Sequence, residues 1–391
     1  MNYFILSTIF LLAGLAIIFW IHTRYQLDVV VETASAPSSA AMISVCVPAR
    51  NEQYNIHLCA ESILRQDYPN FELIVLDDRS TDSTSEILAG LEGLAADQKV
   101  AFRVLRGEQL PPGWAGKPHA LHQASQAARG EWLCFIDADT FLSPEALSSV
   151  YARAVQTGAD LFTIMTFQVM GSFWEKTVMP LVMTALSVGF SPRRVNDPAT
   201  RDAIANGQFM LFRRQVYEAI GGHAGVKDQI VEDKAISELV KWAGHRLVVA
   251  DGTRVVRTRM YTSLPAMWEG WTKNIYLGLS DRPSLLILGA FGATLSLVAS
   301  LALPLWPLLG LNWYFRGGGG WAWAVLVEAL IFWAVLLGMR ARVAHLMGIS
   351  RGWALTTPLG AGVFAAMMLT SAWMVLSGRG VIWKGRRYLS T

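Results

Sequence analysis

From Tyr3 to Ile21 the chain reads YFILSTIFLLAGLAIIFWI, without one charged residue. At 1.5 Å per residue this run makes a helix of about 28 Å, enough to cross the hydrocarbon core of a bilayer. No other stretch constrains the fold as strongly, because a segment in lipid must satisfy its own backbone hydrogen bonds. A cleavable signal peptide is the competing reading. No basic residue precedes the run, however, it exceeds the usual apolar core of a leader, and no small-x-small site follows directly. The expectation is an uncleaved N-terminal anchor over residues 1–24.

Similar apolar runs return near the C-terminus: Leu285 to Leu303 continuing toward Leu311, Trp321 to Gly338, and Ala354 to Leu376, with Pro304 and Pro307 bending or ending the first. From Pro283 onward eight Lys or Arg face one acid, Glu328, so this part carries +7 and the rest of the chain −4. Charge and hydropathy therefore divide the chain at the same place. The pattern predicts a mildly acidic globular domain over 41–262, entered through Pro37-Ser38-Ser39-Ala40. An interfacial amphipathic helix over 263–282 follows, then a C-terminal membrane bundle of about three helices with a basic tail over 283–391. The stretch 173–190 is apolar nearly all round and suits either the membrane interface or a core.

Arg340, Arg342 and Arg351 fit a cytosolic loop. A further crossing would export the basic tail of Arg379, Lys384, Arg386 and Arg387, so either the proline-broken Leu285–Leu311 segment re-enters or the tail is an exception. Cys46, Cys59 and Cys134 are too scattered for a disulfide framework or a zinc site and read as small buried hydrophobes.

Between Met42 and Gly130, strand-like runs (MISVCVPA, FELIVLDD, KVAFRVLRG) alternate with amphipathic helical ones (NIHLCAESILRQ, STSEILAGLEGL, KPHALHQASQAA), and EWLCFIDAD follows. This alternation predicts an α/β fold with a mostly parallel sheet and crossover helices. Ligands of such sheets gather beyond the carboxyl ends of the strands, which places Ala49-Arg50-Asn51, Asp77-Asp78 and Asp137-Asp139 on one rim. A strand such as WLCFI is buried on both faces, so acids at its exit must face a pocket or a counter-charge. A divalent cation bridging substrate phosphates would meet that need. The plain alternative is a solvated turn capping the next helix.

Four motifs, ISVCVPARNE, LIVLDDRSTDST, FIDADT and IVEDKAISELV (230–240), follow in the order and spacing of a known family. Over roughly Ile43 to Leu279 the chain resembles the inverting, membrane-associated family 2 glycosyltransferases, whose GT-A domain binds nucleotide sugars. The resemblance implies that Asp78 accepts from the N3 proton of uracil, with Pro48 to Arg50 flanking the base. It implies that Asp139 coordinates Mg2+ or Mn2+ on the diphosphate, and that Asp137 supports this metal and touches the ribose or donor sugar. Asp233, beside Glu232, resembles the family's general base. The alternative for each acid is capping or favouring the start of a helix.

Lys117, in GWAGKPHAL, is similar to a Gly-Lys stretch of the lipid-modifying branch and would meet the diphosphate; otherwise it is a solvated helix-start lysine. His119 and His122 read as surface or packing residues, and Gly221-Gly222-His223 as a flexible loop that closes over acceptors. Where processive synthases carry Gln-x-x-Arg-Trp this chain has MWEGWTKNIYLG, so Trp271 and Lys273 are expected to hold the acceptor and leaving group, and a long polysaccharide is not the expected product.

The whole pattern, with the tail SGRGVIWKGRRY, is similar to bacterial carotenoid glucosyltransferases of the chlorobactene and diaponeurosporenoate types. That likeness implies a UDP-sugar donor, glucose, and a lipid acceptor, a carotenoid or other isoprenoid hydroxyl or carboxyl. It also implies a multi-pass place in the cytoplasmic membrane with the catalytic domain facing the cytosol. Polyprenyl phosphate, or another lipid such as a hopanoid, a ceramide-like lipid or diacylglycerol, is the alternative acceptor. Nucleic acid is not an expected partner.

Overall fold

The computed structural model describes residues 2–24, 27–35, 40–189, 191–279, 305–317, 319–383 and 386–388, with 292, 294 and 298 between. Apart from 292, 294 and 298, the apolar run Leu285 to Leu303 lies outside them, as do the linker residues Pro37 to Ser39. The chain forms two compact units, one of Gln26–Val169 with Phe190–Met260, the other of Met1–Tyr25, Met170–Gly189 and Tyr261–Thr391.

The first unit holds ten strands: β1 (Ile43–Ala49), β2 (Phe71–Asp77), β3 (Ala101–Arg106), β4 (Trp132–Ile136), β5 (Thr140–Leu142), β6 (Leu161–Met165), β7 (Phe167–Gln168), β8 (Phe209–Arg213), β9 (Leu247–Asp251) and β10 (Val256–Thr258). Seven make one sheet in the order β3-β2-β1-β4-β8-β6-β9. Only β8 runs against its neighbours, pairing antiparallel with β4 and β6; the other pairs are parallel. The remaining three, β5-β10-β7, form a small sheet.

Alternation along the central strands decides where the core lies. Val45, Val47, Leu73, Val75, Cys134 and Ile136 pack on one face, and Cys46, Ile74, Leu76, Leu133 and Phe135 on the other. Both faces are thus covered, as near-continuous apolar strands require. All three cysteines are buried free thiols, and burial pushes the Cys46 thiol up to about 12. The expected helix over STSEILAGLEGL is two short ones, Thr84–Ala89 and Glu92–Asp97, because the first ends at the Gly90 C-cap while Leu91 turns into the core.

At the amino ends of the strands, Glu72 is 1% exposed and ties four segments together. Its Oε1 accepts from Ser44 Oγ at 2.6 Å and the Arg129 amide at 2.7 Å; its Oε2 accepts from Arg103 Nη2 at 2.7 Å. Burial pushes this carboxyl up, but the bonds from Ser44, Arg129 and Arg103 outweigh it and hold the pKa below the usual range.

The second unit contains the helices Asn2–Arg24, Phe173–Gly189, Leu264–Leu279, Trp306–Phe315, Gly319–Leu346 and Thr357–Leu376, the 3-10 turn Arg351–Thr356, and a hairpin of Val381–Trp383 with Arg386–Tyr388. Gly319–Leu346 and the run Arg351–Leu376 are each long and apolar enough to cross a membrane. The Thr8 hydroxyl donates to Glu328 Oε1 at 2.6 Å, joining the first helix to Gly319–Leu346. A Cβ on Gly360 would collide with the Thr177 carbonyl oxygen, so the helices Thr357–Leu376 and Phe173–Gly189 cross with no room for a side chain there.

Glu72→Gln should lower the stability of the sheet by about 1–3 kcal/mol at neutral pH. Because the folded pKa is depressed, the carboxylate's contribution is complete above the unfolded value of about 4.3 and is lost as pH falls through the lower folded value. Amide hydrogen exchange in β1 and β2, compared between wild type and variant across acidic pH, should show their difference closing toward low pH.

Candidate active site

The register Ala49↔Asp77 and Cys46↔Phe135 sets the carboxyl ends of β1, β2 and β4 side by side. The loops leaving β1 and β2 are stitched to each other. The Asn51 amide donates to Ser80 Oγ at 3.0 Å, the Thr81 amide to Asn51 Oδ1 at 2.8 Å, and the Glu52 amide to Thr84 Oγ1 at 2.9 Å. Asn51 and Arg79 take left-handed backbone at φ 54° and 58° to make this seam.

The two acids after β2 part company. Asp77 serves the turn, accepting from the Ser80 amide at 2.9 Å and from the Ser85 hydroxyl. Asp78, 6% exposed, lies beside Arg50, whose Nη1 donates to the Asp78 carbonyl at 2.8 Å and stands 3.5 Å from its Oδ2. Turn-holding thus belongs to Asp77. Pro48 pairs with Leu76 one step before the rim. Gly107 closes this corner: its amide donates to the Asp77 carbonyl at 2.8 Å, and a Cβ would stand 3.1 Å from Asp78 Cα.

At the exit of β4 the small sheet fixes the backbone. The Asp137 carbonyl accepts from the Thr140 amide at 3.1 Å, the Asp139 carbonyl from the Arg259 amide at 3.2 Å, and the buried hydroxyls of Thr140 and Thr258 meet at 3.1 Å. Lys117, in the first turn of the helix Gly116–Ala127, reaches this exit. Its Nζ lies 2.6 Å from Asp137 Oδ1 and 2.8 Å from Glu232 Oε1. Glu232 and Asp233 open the helix Glu232–Trp242. Asp233 Oδ2 accepts from the Gly207 amide at 3.0 Å, and its Oδ1 from the Lys234 amide at 2.8 Å.

These contacts set the charges. Burial works to lower the Lys117 pKa, but Asp137, Glu232 and Asp233 outweigh it and raise it well above the usual lysine value. Burial raises the Glu232 carboxyl; Lys117 opposes this and Asp233 and Asp137 add to it, leaving it raised.

Gly207 had not been singled out in the sequence. A Cβ there would stand 3.0 Å from Asp233 Oδ2 and 3.1 Å from Lys117 Nζ, so a side chain at this position would press on both groups. Its turn is held by Asn206, whose amide donates to Thr163 Oγ1 and whose Nδ2 donates to the Ile164 carbonyl, both at 2.9 Å. The pair Asn206-Gly207, just before an apolar run, was the available signal.

One expectation changes. Gly221-Gly222-His223 is not an open flap: it enters the 3-10 turn Gly222–Val226, and His223 is fully buried with Nδ1 2.8 Å from the Tyr217 hydroxyl. A Cβ on Gly222 would strike the Tyr217 ring, which is why these glycines pack instead of moving. His119 is buried, its ring 5.3 Å from that of Trp114, and His122 stands 5.1 Å from the same indole, so both pack. Trp271, 5% exposed and edge-on to Tyr261 at 6.0 Å, and the partly exposed Lys273 stand on Leu264–Leu279 of the second unit.

Among the described residues no three His, Cys, Asp or Glu side chains make a metal cage. At the β4 exit Asp137 is engaged by Lys117 and Asp139 is the further carboxylate, and among the described rim residues Asp78, Asp137, Asp139, Glu232 and Asp233 outnumber the cations Arg50 and Lys117. A donor set of one or two carboxylates with surplus negative charge fits a divalent ion that shares its ligands with substrate phosphates.

Residues 44–221 match the model of the family described as glycosyl transferase family 2. The chain carries a family 2 glycosyltransferase domain. The chain is 26% identical over 264 residues to a 4,4'-diaponeurosporenoate glycosyltransferase of Staphylococcus aureus, covering 66% of this chain and 68% of that protein. Its fold is similar to that of a mannosyltransferase from Pyrobaculum calidifontis, solved with GDP-Man and Mn2+. That likeness has a TM-score of 0.55 at 19% identity, over 95% of this chain and 97% of the other. The mostly parallel α/β sheet is thus of the GT-A kind.

Gly207→Ala should cut glycosyltransferase kcat by about tenfold, roughly 1.4 kcal/mol at the transition state, while Tm stays within about 3 °C. Steady-state kinetics and a thermal melt check both. His223 is held neutral in the fold, burial lowering its pKa to about 3 with the positive charge of Lys117 adding to the same effect. Its contribution is therefore complete above the unfolded value of about 6.5 and erodes as pH falls toward the folded one, at up to roughly 1.4 kcal/mol per pH unit. His223→Gln should flatten that part of the stability-pH curve.

Proposed function

We propose that this glycosyltransferase transfers a hexose, glucose, from a UDP-sugar to a membrane lipid, a carotenoid or related isoprenoid bearing a hydroxyl or carboxyl, with inversion at the anomeric carbon. The observation that carries the reading is the meeting of Asp137, Glu232 and Asp233 around Lys117, which joins the exit of β4 to the start of an acidic helix at a single point. The Staphylococcus aureus relative's name supports the carotenoid-type acceptor.

Asp78 and the backbone from Pro48 to Arg50 receive the uracil, Asp78 accepting from its N3 proton. Lys117 and Asp137 hold the diphosphate and the sugar or ribose. Asp139, with Asp137 beside it, would hold Mg2+ or Mn2+, which when bound would offset charge on the departing diphosphate; the Mn2+ of the mannosyltransferase supports a divalent ion. Asp233 takes the proton of the acceptor hydroxyl as its oxygen attacks the anomeric carbon from the face opposite the UDP. The new glycosidic bond forms, the bond to UDP breaks, and UDP leaves with the electron pair. Glu232, buried against Lys117, keeps Asp233 on the rim. Trp271 and Lys273 serve the acceptor side.

The domains follow from this reading: an anchor over 1–24, the catalytic domain over 41–262, an interfacial helix over 263–282 and a membrane bundle over 283–391, with catalysis on the cytosolic side of the cytoplasmic membrane. Support comes from the outward faces of the helices, where Leu6, Leu12, Leu330, Leu359 and Trp373 are each about half exposed or more. A bilayer would cover them.

Membranes carrying the protein, incubated with labelled UDP-glucose and a divalent metal and then extracted, should yield a labelled pigment band. Asp233→Asn should lower transfer to a hydroxyl acceptor by a factor of about 10²–10⁴. Label confined to a phosphate-bearing, mild-acid-labile lipid would overturn the carotenoid reading.

A further inference from the structure

Arg340, on the helix Gly319–Leu346, is 9% exposed. Its Nε donates to Thr357 Oγ1 at 3.3 Å, and its Nη1 is buried with no hydrogen-bond partner. No acid among the described residues pairs with it. Glu328, the one acid of that helix, stands twelve positions earlier, about 18 Å along the axis, and is bonded to Thr8. Beyond Glu328 the chain contains no Asp or Glu at all. Among the described residues no carboxylate meets the charge of this guanidinium, and a buried cation calls for an anionic partner.

The group it touches adds to the demand. Thr357 is the first residue of the twenty-residue helix Thr357–Leu376, and its N-cap, Thr356, makes no side-chain capping bond. A buried cation thus stands where the 3-10 turn Arg351–Thr356 runs into this helix, the Thr357 amide and hydroxyl both donating to the Ala354 carbonyl while the hydroxyl oxygen accepts from Arg340. Around it, Lys176 Nζ sits 5.4 Å over the Trp353 ring, Phe173 meets the same ring edge-on at 5.5 Å, and Arg342 and Arg351 are exposed. Basic and aromatic side chains at the ends of apolar helices are the pattern of a lipid headgroup layer.

We infer that Arg340, with Thr357 at the start of its helix, is a binding site for the phosphate of an anionic phospholipid. The inference rests on the proposed membrane placement of the second unit. A planar fork that offers parallel donors suits a phosphodiester better than the point charge of a lysine would. Two helices long enough to cross a bilayer frame the site, which favours a lipid over phosphate from solution.

The test uses the full chain in nanodiscs of phosphatidylcholine, with and without phosphatidylglycerol. Wild type should melt several degrees higher in the phosphatidylglycerol discs and, released into the gas phase from them, retain about fivefold more of that lipid than Arg340→Gln, the ratio expected of one basic residue at an anionic surface. Arg340→Gln should lose the melting shift. An unchanged shift in that variant would sink the proposal, as would an equal shift produced by inorganic phosphate in phosphatidylcholine discs, which would assign the site to a soluble anion. Should Arg340→Gln fail to fold, Arg340→Lys decides: it keeps the charge but not the fork and should retain less phosphatidylglycerol, and equal retention overturns the site. A chain that stays out of the discs altogether removes the membrane reading as well, whereas a chain that enters them without preference removes this inference alone.

Discussion

Carboxylates crowded at the edge of a sheet repel one another, and the rim of this domain depends on the one ammonium set among them. Lys117 reaches Asp137 just past the fourth strand and Glu232 on a helix that begins ninety-five residues later. Its charge offsets what burial and neighbouring acids would otherwise cost. The surrounding structure is arranged to let it arrive: a glycine leaves space beside it, and a buried tyrosine–histidine turn packs against the core nearby. Further along the rim the β1 and β2 loops lean on each other through side-chain bonds and on the first residue of the helix Thr84–Ala89, so this corner is a seam of two loops and a helix start.

Much of this was legible because parallel strands broadcast themselves. ISVCVPA, FELIVLD and WLCFI are apolar at every position that counts, and the polar residues ending them had to share a rim once the strands were parallel. The antiparallel strand Phe209–Arg213 was not read, since five residues carry no mark of direction; direction is settled by the partners on either side. The division of labour between Asp77 and Asp78 was likewise hidden, because adjacent acids look alike until one of them meets Ser80 and Ser85. Gly221-Gly222-His223 misled in the opposite sense. Small and polar residues resemble a loose loop, and only the ring of Tyr217 reveals why glycine is needed there. Lys117 was visible as a candidate, but its carboxylate partners belong to tertiary structure.

In the second unit hydropathy marks which segments are apolar and says nothing of how they pair. Gly360 against the Thr177 carbonyl shows what pairing adds: two helices approach so closely that backbone meets backbone. Polar groups there are few and local. Thr8 serves Glu328, Thr357 serves Arg340, and the buried hydroxyl of Ser371 donates to the Thr272 carbonyl at 3.1 Å. Each acts as a registration point between helices whose remaining contacts are non-directional, since an apolar surface alone fixes neither rotation nor height.

The burial of all three thiols has a practical corollary. Cys46 and Cys134 lie within the sheet and Cys59 on the helix beside it, each closed to solvent. Maleimide or spin-label chemistry, which needs an accessible thiolate, should leave the native chain untouched. A single cysteine introduced on any exposed surface would then be its one reactive handle, with no background to remove, and the folded core would need no re-engineering before fluorescent or magnetic probes were attached.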